Sequence, residues 1–533
     1  MEQQDAENIL KDTDRATGKT ALRNNVAAAV ALAGAIRSTL GPKGLDKLLV
    51  DADGSVVVTN DGVTVLESAL VEHPTAKMLI STSSSQDEEA KDGTTTTVLL
   101  IAELLVNALE LIDRGVHPTI VANGYRMCVP FIEEALESMA SEASSDSRMD
   151  ATLTSLAGKG DEALRTRLSE LAVQASESIA AENEDGVIEC DQRFVKIITN
   201  RAGTIGDSHL VNGLVLAKQR VHREMPRSLD GGTILILDGG IERRKPSVDA
   251  SLHITRLGAL EEFRARDREA LKEQVTSLKQ AGVDLLIVRD GIEEEAHPML
   301  TDAGIVAYRR VERDELELIA RATGARPVGS IERIRKQDLG KFASLREEKW
   351  HGVGHMILEG TLTQGLTLVL RGSTDTRLEE AARCVNDAMG VACQLMEEPK
   401  LLPGGGATQV ALSRRLRRHA ETIPGREQMA IEAFAASLEA IPRILAENAG
   451  LDPINQLLSI NAAQAAAEDD WLGIDIQTSE VCNMAEAGIV EPLRITRHAI
   501  GGATEAAISV LRIDDVLWAK QDAQEPDWNT DEI

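Results

Sequence analysis

The loop best suited to chemistry in this sequence is DGTTTT at 92–97. Gly93 allows the backbone to approach a ligand closely, and the threonines after it stand where a helix is expected to begin. Backbone N–H groups at a helix start lack partners and favour anions such as phosphate. Asp92 cannot itself attract a phosphate, but its hard oxygen atoms can hold a Mg²⁺ ion that bridges phosphate oxygens. The alternative is that Asp92 and the threonines only cap a helix.

Two further glycine loops could serve the same site. GPKG at 41–44 is a tight turn after a helix, and PGGGA at 403–407 enters a helix and could cradle a phosphate or a ribose. Most turns of the first kind are only turns, and a glycine run can be a hinge. Asp61, in an Asn-Asp-Gly turn, and Asp387, in a helical stretch, are single carboxylates with a plain alternative as caps or solvated groups. Taken together, the loops predict a phosphate and metal site.

Other kinds of site are disfavoured. TGKT at 17–20 resembles the end of a P-loop, but Thr13 stands where that motif needs glycine, and we interpret the segment as a disordered arm. HGVGH at 351–355 lacks the glutamate of a zinc-protease helix. The five cysteines are far apart and never form CxxC, so we expect reduced thiols, with neither a disulfide framework nor a zinc site.

Helical patterns dominate both ends of the chain. Apolar residues recur at helical spacing over 22–40 and 92–115, and a Val-rich hairpin with Asp-Gly turns lies between them. Ala-rich helices are predicted at 375–398 and over 404–470. Near the C-terminus, GIDI and ITRHAIG (495–501) are interpreted as strands.

The middle of the chain has a different pattern. After helical sequence at 143–184, short apolar runs at 233–238, 283–290 and 304–311 alternate with helical stretches, which is typical of an α/β domain. The stretch 241–275 is charged before it settles into one helix. Five residues fit one face of that helix: Leu260, Phe263, Leu271, Val275 and Leu278. Helical sequence on both sides of an α/β centre indicates inserted modules within a base domain made from both chain ends.

The amino-acid composition limits the classes of partner that the protein is expected to bind. Asp plus Glu number 86 against 57 for Lys plus Arg, a net charge of -29, so the surface repels phosphate backbones and disfavours nucleic-acid and anionic-membrane binding. The N-terminus is polar, and no run approaches the ~20 apolar residues that span a bilayer, so a cytoplasmic protein is expected. The acidic balance also suits concentrated salt, although an ordinary acidic protein is the alternative.

The motifs together resemble those of the group II chaperonins, the thermosome family. The matching segments run in order from about residue 15 to residue 518 and include STLGPKGLDKLLV, QDEEAKDGTTTTVLLIAELL, LLPGGGATQVALSRRLR and GIVEPLRITRHAIGG. Each motif alone is weak, but the ordered set is highly specific.

The resemblance implies a multidomain α+β fold and a double ring, with related or identical subunits, that encloses unfolded protein clients. It implies a helical equatorial ATP-binding domain at 1–142 plus 399–533, and an intermediate hinge domain at 143–208 plus 361–398. An α/β apical substrate-binding domain would occupy 209–360, with a helical lid protrusion at about 241–275.

The resemblance also assigns roles to single residues. Asp92 would be the Mg²⁺ ligand, Asp387 would orient and deprotonate the attacking water, and Asp61 would assist it. Lys159 would sense the γ-phosphate of ATP. The remaining contacts to the nucleotide would come from Gly41, Pro42, Gly93, Thr94, Thr95, Thr96, Gly405 and Glu491.

The sequence departs from the family pattern beside these residues. Lys91 replaces a usual glycine, Ala382 a glutamate and Asn386 a histidine, and TQ at 408–409 stands where TE or VE is usual. We therefore keep a second hypothesis, a nucleotide-binding scaffold subunit of a mixed ring with little or no hydrolysis. A monomeric ATP-dependent enzyme, such as a small-molecule kinase, would need an acceptor site, and none is apparent.

Overall fold

The computed structural model describes residues 13–50, 54, 56–69, 71–183, 185–242, 259–350, 352–361 and 365–519. The chain forms two compact units. The first combines Met1–Gly160 with Glu398–Ile533, and the second is Asp161–Glu397. Both units contain helices and sheets, as the predicted multidomain α+β class requires. The division into three domains with the borders given above stays a prediction.

The first unit is built around the helix Thr94–Asp113, whose apolar residues are buried over most of its length. Four helices pack on it: Gly18–Ile36, Pro74–Ala90, Glu427–Leu438 and Leu493–Leu511. The other helices described in this unit are Gly62–Glu67, Pro118–Met139, Ser145–Ser155, Ala407–Ala420, Ala440–Asn448 and Pro453–Ala467.

The central helix corrects one expectation from the sequence. By length and composition Thr94–Asp113 is apolar enough to cross a membrane, although we expected no segment to approach that length. In the structure 61% of its apolar window is buried inside the protein. The helix is apolar because other helices surround it.

The strands of the first unit are short. Thr13–Thr17 pairs antiparallel with Asp515–Ala519, Lys47–Val50 with Val56–Thr59, and Leu472–Asp475 with Glu480–Asn483. In a three-stranded sheet, Lys400–Pro403 lies between Val490–Pro492 and Ser141–Glu142.

Two predictions for this unit are wrong. The segment 17–20 is no disordered arm, because Thr17 ends a paired strand and the helix Gly18–Ile36 begins at the next residue. ITRHAIG (495–501) is not a strand, because it lies within the helix Leu493–Leu511. The alternation that resembled a strand is too short to separate the two periods, and the buried residues along this helix follow helical spacing.

The second unit contains a seven-stranded sheet. Its order is Val306–Tyr308, Leu285–Val288, Gly232–Leu237, Gly340–Trp350, Val353–Gly360 and Leu214–Leu216, with Ser228–Leu229 beside Gly340–Trp350. The first three strands are parallel, and the other pairs are antiparallel. The apolar runs at 233–238, 283–290 and 304–311 therefore form adjacent strands, as predicted.

A smaller sheet and five helices complete the described part of this unit. Leu366–Arg371 lies between Val195–Asn200 and His209–Asn212, and Ala181–Glu182 pairs with Ile188–Glu189. The helices are Glu162–Ile179, Ala259–Gln280, Ala296–Ala303, Arg313–Thr323 and Asp375–Glu397.

The expected protrusion at about 241–275 falls partly outside the described residues, which resume at 259. From there the chain is helical to Gln280, and Leu271, Val275 and Leu278 of the predicted face are buried. The side chains of Leu260 and Phe263 lie outside the described part.

Candidate functional site

The loop around Asp92 joins two helices of the first unit. Lys91 ends Pro74–Ala90 with a φ of 55°, and Gly93 begins Thr94–Asp113 with a φ of 81°. The Asp92 Oδ1 atom accepts a hydrogen bond of 2.7 Å from the Gly93 N–H group. The first bond of the helix runs from the Thr97 N–H group to the Gly93 carbonyl, so the N–H groups of residues 94–96 have no partner within the helix. This helix start can therefore receive an anion.

The conformation of this loop requires glycine at 93. A Cβ atom there would lie 3.0 Å from Cγ2 of Ile495 and 3.2 Å from Nε2 of Gln86. The buried Gln86 side chain donates to the carbonyl oxygens of Asp92 at 2.9 Å and Ile495 at 3.4 Å. Gln86 thus ties the loop to the helix Leu493–Leu511. Gln86 was not predicted from the sequence, although it lies in the QDEEAKDG segment.

Asp61 caps a short helix. Its Oδ2 atom accepts hydrogen bonds from the Thr64 N–H group at 2.9 Å and the Thr64 hydroxyl at 2.7 Å, at the start of Gly62–Glu67. A Cβ on Gly62 would lie 2.4 Å from the Thr95 Oγ1 atom, so this turn lies directly against the threonine loop. Asp61 therefore does cap a helix, as the alternative interpretation predicted. The same turn also places Asp61 beside the threonines.

The GPKG turn and the loop before Lys159 meet close by. Gly158 has a φ of 90°, and a Cβ there would lie 2.9 Å from the Gly41 carbonyl oxygen and 3.4 Å from Cα of Pro42. The Asn60 side chain donates a 3.3 Å hydrogen bond to the Gly158 carbonyl. The loop before Lys159 is therefore in contact with both the loop of Gly41 and the loop of Asp61.

The glycine run and Glu491 lie on adjoining strands. Leu402 of Lys400–Pro403 is opposite Glu491 of Val490–Pro492. Gly405 follows with a φ of 58°, and its carbonyl accepts the Ile474 N–H group at 3.2 Å. A Cβ at Gly405 would lie 2.7 Å from the Ile474 carbonyl oxygen, so the run passes against backbone at this point. The Glu491 Oε1 atom accepts a 2.7 Å bond from the Thr496 hydroxyl.

Charges connect these loops to Asp92. Burial raises the pKa of Asp92, the nearby Lys159 ammonium and the Gly93 N–H group lower it, and Asp61 raises it. Burial raises the pKa of Glu491 to about 7; the Thr496 hydrogen bond opposes this rise and the Asp92 charge adds to it. The charges of Asp61 and Lys159 therefore shift the pKa of Asp92, and the charge of Asp92 shifts the pKa of Glu491.

Asp87 is a further acidic group of the site, and it was not predicted from the sequence. Burial raises its pKa, the Lys91 ammonium lowers it, and the carboxylate of Asp61 raises it. Lys159 also lowers the pKa of Asp87. Its position was a signal, since Asp87 lies in the last turn of the helix that leads directly into the Asp92 loop.

The donors at this site fit Mg²⁺ held by a single protein ligand. Burial disfavours the charged form of Asp92, and a bound cation would offset that cost. Among the described residues, no three His, Cys, Asp or Glu side chains are grouped to hold a metal ion. An ion at Asp92 would therefore take its other oxygen ligands from phosphate and water, as Mg²⁺ commonly does.

Asp387 lies in the second unit, so it is not among the residues that the first unit brings together. It is half-buried on the helix Asp375–Glu397, where Ala388 is buried and Asn386 is exposed. Ala382, another departure from the family pattern, is half-buried on the same helix.

Comparisons with known proteins agree with the ordered motifs. Residues 32–521 match the model of the TCP-1/cpn60 chaperonin family. The chain is 42% identical to thermosome subunit beta of Archaeoglobus fulgidus, covering 96% of this chain and 94% of the relative. It is 42% identical to thermosome subunit 1 of Haloferax volcanii, covering 96% and 90%, and 38% identical to a thermosome subunit of Pyrococcus horikoshii, covering 96% and 93%. Adaptation to concentrated salt stays a prediction.

Proposed function

The chain belongs to the TCP-1/cpn60 chaperonin family, and we propose that it is an ATP-hydrolysing subunit of a group II chaperonin ring. Chaperonins of this family fold proteins in a double ring with energy from ATP. The single observation that carries the proposal is the meeting of separate loops at the start of the helix Thr94–Asp113. Hydrolysis of ATP needs charge neutralisation and a positioned water more than covalent chemistry, and such loops can provide the first.

The binding roles follow from this arrangement. The N–H groups of residues 94–96, which have no partner within the helix, would hold phosphate oxygens. Lys159, whose ammonium lowers the pKa of Asp92, would lie over the γ-phosphate. Asp92 would hold Mg²⁺, which neutralises phosphate charge. Gly41 and Pro42 would line the nucleotide, and Gly405 and Glu491 would face its ribose or base.

The hydrolytic roles fall to two carboxylates. Asp387 would orient the attacking water and accept its proton, and Asp61 would assist it. By resemblance to the family, closure of the hinge would bring Asp387 to the nucleotide and couple hydrolysis to lid movement.

The partners are proposed from the same family membership. Unfolded polypeptides would be captured by the apical part of the second unit, and the ring would contain copies of this chain or related subunits in the cytoplasm. Pull-down from the native host tests the composition of the ring, and recovery of this chain alone would count against a mixed one.

Steady-state ATP hydrolysis with Mg²⁺, in low and high potassium salt, tests the proposal. We expect Asp387→Ala to lower turnover by about 10²-fold or more in the assembled protein, as for loss of a positioned base. Glu379→Ala is the matched control, because Glu379 is an exposed carboxylate two turns earlier on the same helix and should leave turnover near that of the wild type.

Two other results would change the assignment. Unchanged turnover in Asp387→Ala would remove Asp387 from the mechanism. Negligible turnover in wild type and variant alike, with nucleotide binding and ring assembly intact, would favour the scaffold subunit and point to Lys91, whose charge acts on Asp87.

A further inference from the structure

Gln86 is a buried glutamine that joins two parts of the first unit beside the Asp92 loop. It lies in the last two turns of the helix Pro74–Ala90 and is 4% exposed. Its Nε2 atom donates to the Asp92 carbonyl oxygen at 2.9 Å and to the Ile495 carbonyl oxygen at 3.4 Å. These acceptors are 6 and 409 residues away along the chain. One side chain therefore connects a local loop to a distant helix.

The first of these bonds fixes the peptide group between Asp92 and Gly93. Its carbonyl oxygen accepts from Gln86, and its N–H group, on Gly93, donates to the Asp92 Oδ1 atom at 2.7 Å. A peptide group is planar, so fixing its carbonyl also fixes the direction of its N–H group. Because glycine populates many backbone conformations, this peptide needs a restraint from outside the loop. Gln86 thereby controls the position of the Asp92 carboxylate through one peptide group.

The next carbonyl of the loop has its own partner. The N–H group and the hydroxyl of Thr97 both donate to the Gly93 carbonyl oxygen, at 2.9 and 3.0 Å. Two consecutive carbonyls of the loop are therefore held, the first by Gln86 and the second by the helix. Within the described part of the chain, the Asp92 Oδ2 atom accepts no hydrogen bond, so it is the oxygen that a cation can reach.

The second bond of Gln86 connects the loop to the first turn of the helix Leu493–Leu511. A Cβ atom at Gly93 would lie 3.0 Å from Cγ2 of Ile495 and 3.2 Å from Nε2 of Gln86. The loop, the amide and the helix are therefore in direct contact. Because both carbonyl acceptors belong to backbone of the packed unit, the amide has little freedom to turn away from Asp92.

We propose that Gln86 is a positioning residue for Mg²⁺, which holds the peptide after Asp92 so that the carboxylate is presented to the ion that accompanies ATP. This inference rests on the proposed function, in which Asp92 is the metal ligand. Groups that orient a metal ligand commonly set the affinity for the metal, and their loss lowers it by roughly 10–100-fold. Gln86 acts through Asp92 and binds neither nucleotide nor metal itself.

A purely structural role is the alternative. Gln86 satisfies two carbonyl oxygens, and any substitution that leaves them unpaired destabilises the protein. Gln464 offers a matched comparison, because it is a fully buried glutamine of the same unit. Its Nε2 atom donates to the carbonyl oxygens of Ala407 and Leu472 at 3.0 and 2.9 Å. We expect variants of both glutamines to lose stability, but only variants of Gln86 to lose the response to magnesium.

The test compares Gln86→Met with Gln464→Met in the assembled protein, since methionine is close to glutamine in length and lacks its donors. Calorimetry measures the Kd of AMP-PNP, a non-hydrolysable ATP analogue, with Mg²⁺ and with EDTA. In Gln86→Met we expect the gain in affinity from Mg²⁺ to fall by about 10-fold or more, while the Kd in EDTA changes little. In Gln464→Met the gain from Mg²⁺ should equal that of the wild type.

Amide hydrogen exchange of the protein without nucleotide gives a readout that needs no metal. Residues 93–97 should exchange faster in Gln86→Met than in the wild type, because the loop opens more easily without its restraint. Gln464→Met should leave the exchange of these residues unchanged. Gln86→Glu keeps the shape of the side chain and loses the amide donors, so it should show the same two changes if the methionine variant does not assemble.

Three results would contradict the role of Gln86. A full magnesium gain in the Gln86 variants, or unchanged exchange of residues 93–97, would leave it a structural residue only. In the wild type alone, exchange of the Gly93 N–H group at the rate of an unfolded chain would show that the loop is not held. A different failure is recognisable in the wild type as well. If it binds AMP-PNP no more tightly with Mg²⁺ than with EDTA, the proposed role of Asp92 is wrong, and this inference fails with it.

Discussion

The Asn60 side-chain amide donates a hydrogen bond of 3.3 Å to the carbonyl oxygen of Gly158, although the two residues are 98 positions apart. Asn60 directly precedes Asp61, and Gly158 directly precedes Lys159. Asn60 is 9% exposed, so water competes little for this bond. One hydrogen bond therefore links the loop of an acidic site residue to the loop of a basic one.

Alanine at Gly158 should weaken nucleotide binding. Its Cβ would lie 2.9 Å from the Gly41 carbonyl oxygen and would displace the GPKG turn, so we expect about a tenfold higher Kd for Mg-ATP, or about 1.4 kcal/mol. The control is Gly115→Ala, at a similar φ of 93° but with open space around the new Cβ. Both variants carry the cost of a left-handed alanine, about 1 kcal/mol. Equal Kd values by calorimetry would show that the contact with Gly41 is unimportant.

Replacing Asp92 with asparagine should reduce the stabilisation by Mg-ATP without reducing the stability of the protein in the absence of nucleotide. Because burial raises the pKa of Asp92, removing its charge should leave the protein without nucleotide at least as resistant to heat as the wild type. Mg-ATP at 100 times Kd stabilises a protein by about 2.7 kcal/mol, and we expect the variant to lose most of that gain. Asp113→Asn, an exposed carboxylate at the other end of the same helix, should keep it. An undiminished Mg-ATP shift in Asp92→Asn would exclude Asp92 as the metal ligand.

Glutamine at Glu491 should change how stability depends on pH. The pKa of Glu491 is about 7 in the folded protein against an ordinary 4.5, so the folded state holds this proton more tightly than the unfolded state. The associated stability is fully present below pH 4.5 and is lost as pH rises through 7, about 3 kcal/mol in total. The neutral glutamine has no such pH-dependent stability to lose. The stability of Glu491→Gln relative to the wild type should therefore be higher at pH 8 than at pH 5.

Urea unfolding at several pH values measures this difference. Glu486→Gln, at an exposed position five residues before Glu491, is the control and should follow the wild-type curve. Parallel curves for Glu491→Gln and wild type would mean that the Glu491 carboxyl is not held in its protonated form.

The stability of variants at Lys91 should depend on how well each residue tolerates a left-handed backbone conformation. Its φ of 55° lies in the left-handed region, which glycine occupies at little steric cost. We expect Lys91→Gly to lie within about 1 kcal/mol of the wild type, since relief of strain is offset by unfolded-state entropy. Lys91→Val should be less stable by about 1–2 kcal/mol, because a β-branched side chain tolerates this region poorly. Denaturant unfolding gives the order, and a valine variant as stable as the glycine one would refute it.

Several elements could be predicted from local sequence. The core helix Thr94–Asp113 and the parallel strands at 233–238 and 283–290 were correctly assigned, because apolar periodicity reports burial along a single element. The same reasoning failed for 495–501, where a short alternation is compatible with both periods. It also failed for the strand Thr13–Thr17, because this strand forms by pairing with Asp515–Ala519, about 500 residues later in the chain.

The sequence by itself determined the family, the fold class and the kinds of side chain available, because ordered motifs and periodicity are properties of neighbouring residues. Only the tertiary structure decided which of them meet, as Gly62 does with Thr95 and Gly158 with Gly41. It also added Gln86 and Asp87 to the site. These contacts join loops whose separation along the chain is tens to hundreds of residues, and no local pattern encodes which distant loop will fill the space beside a given turn.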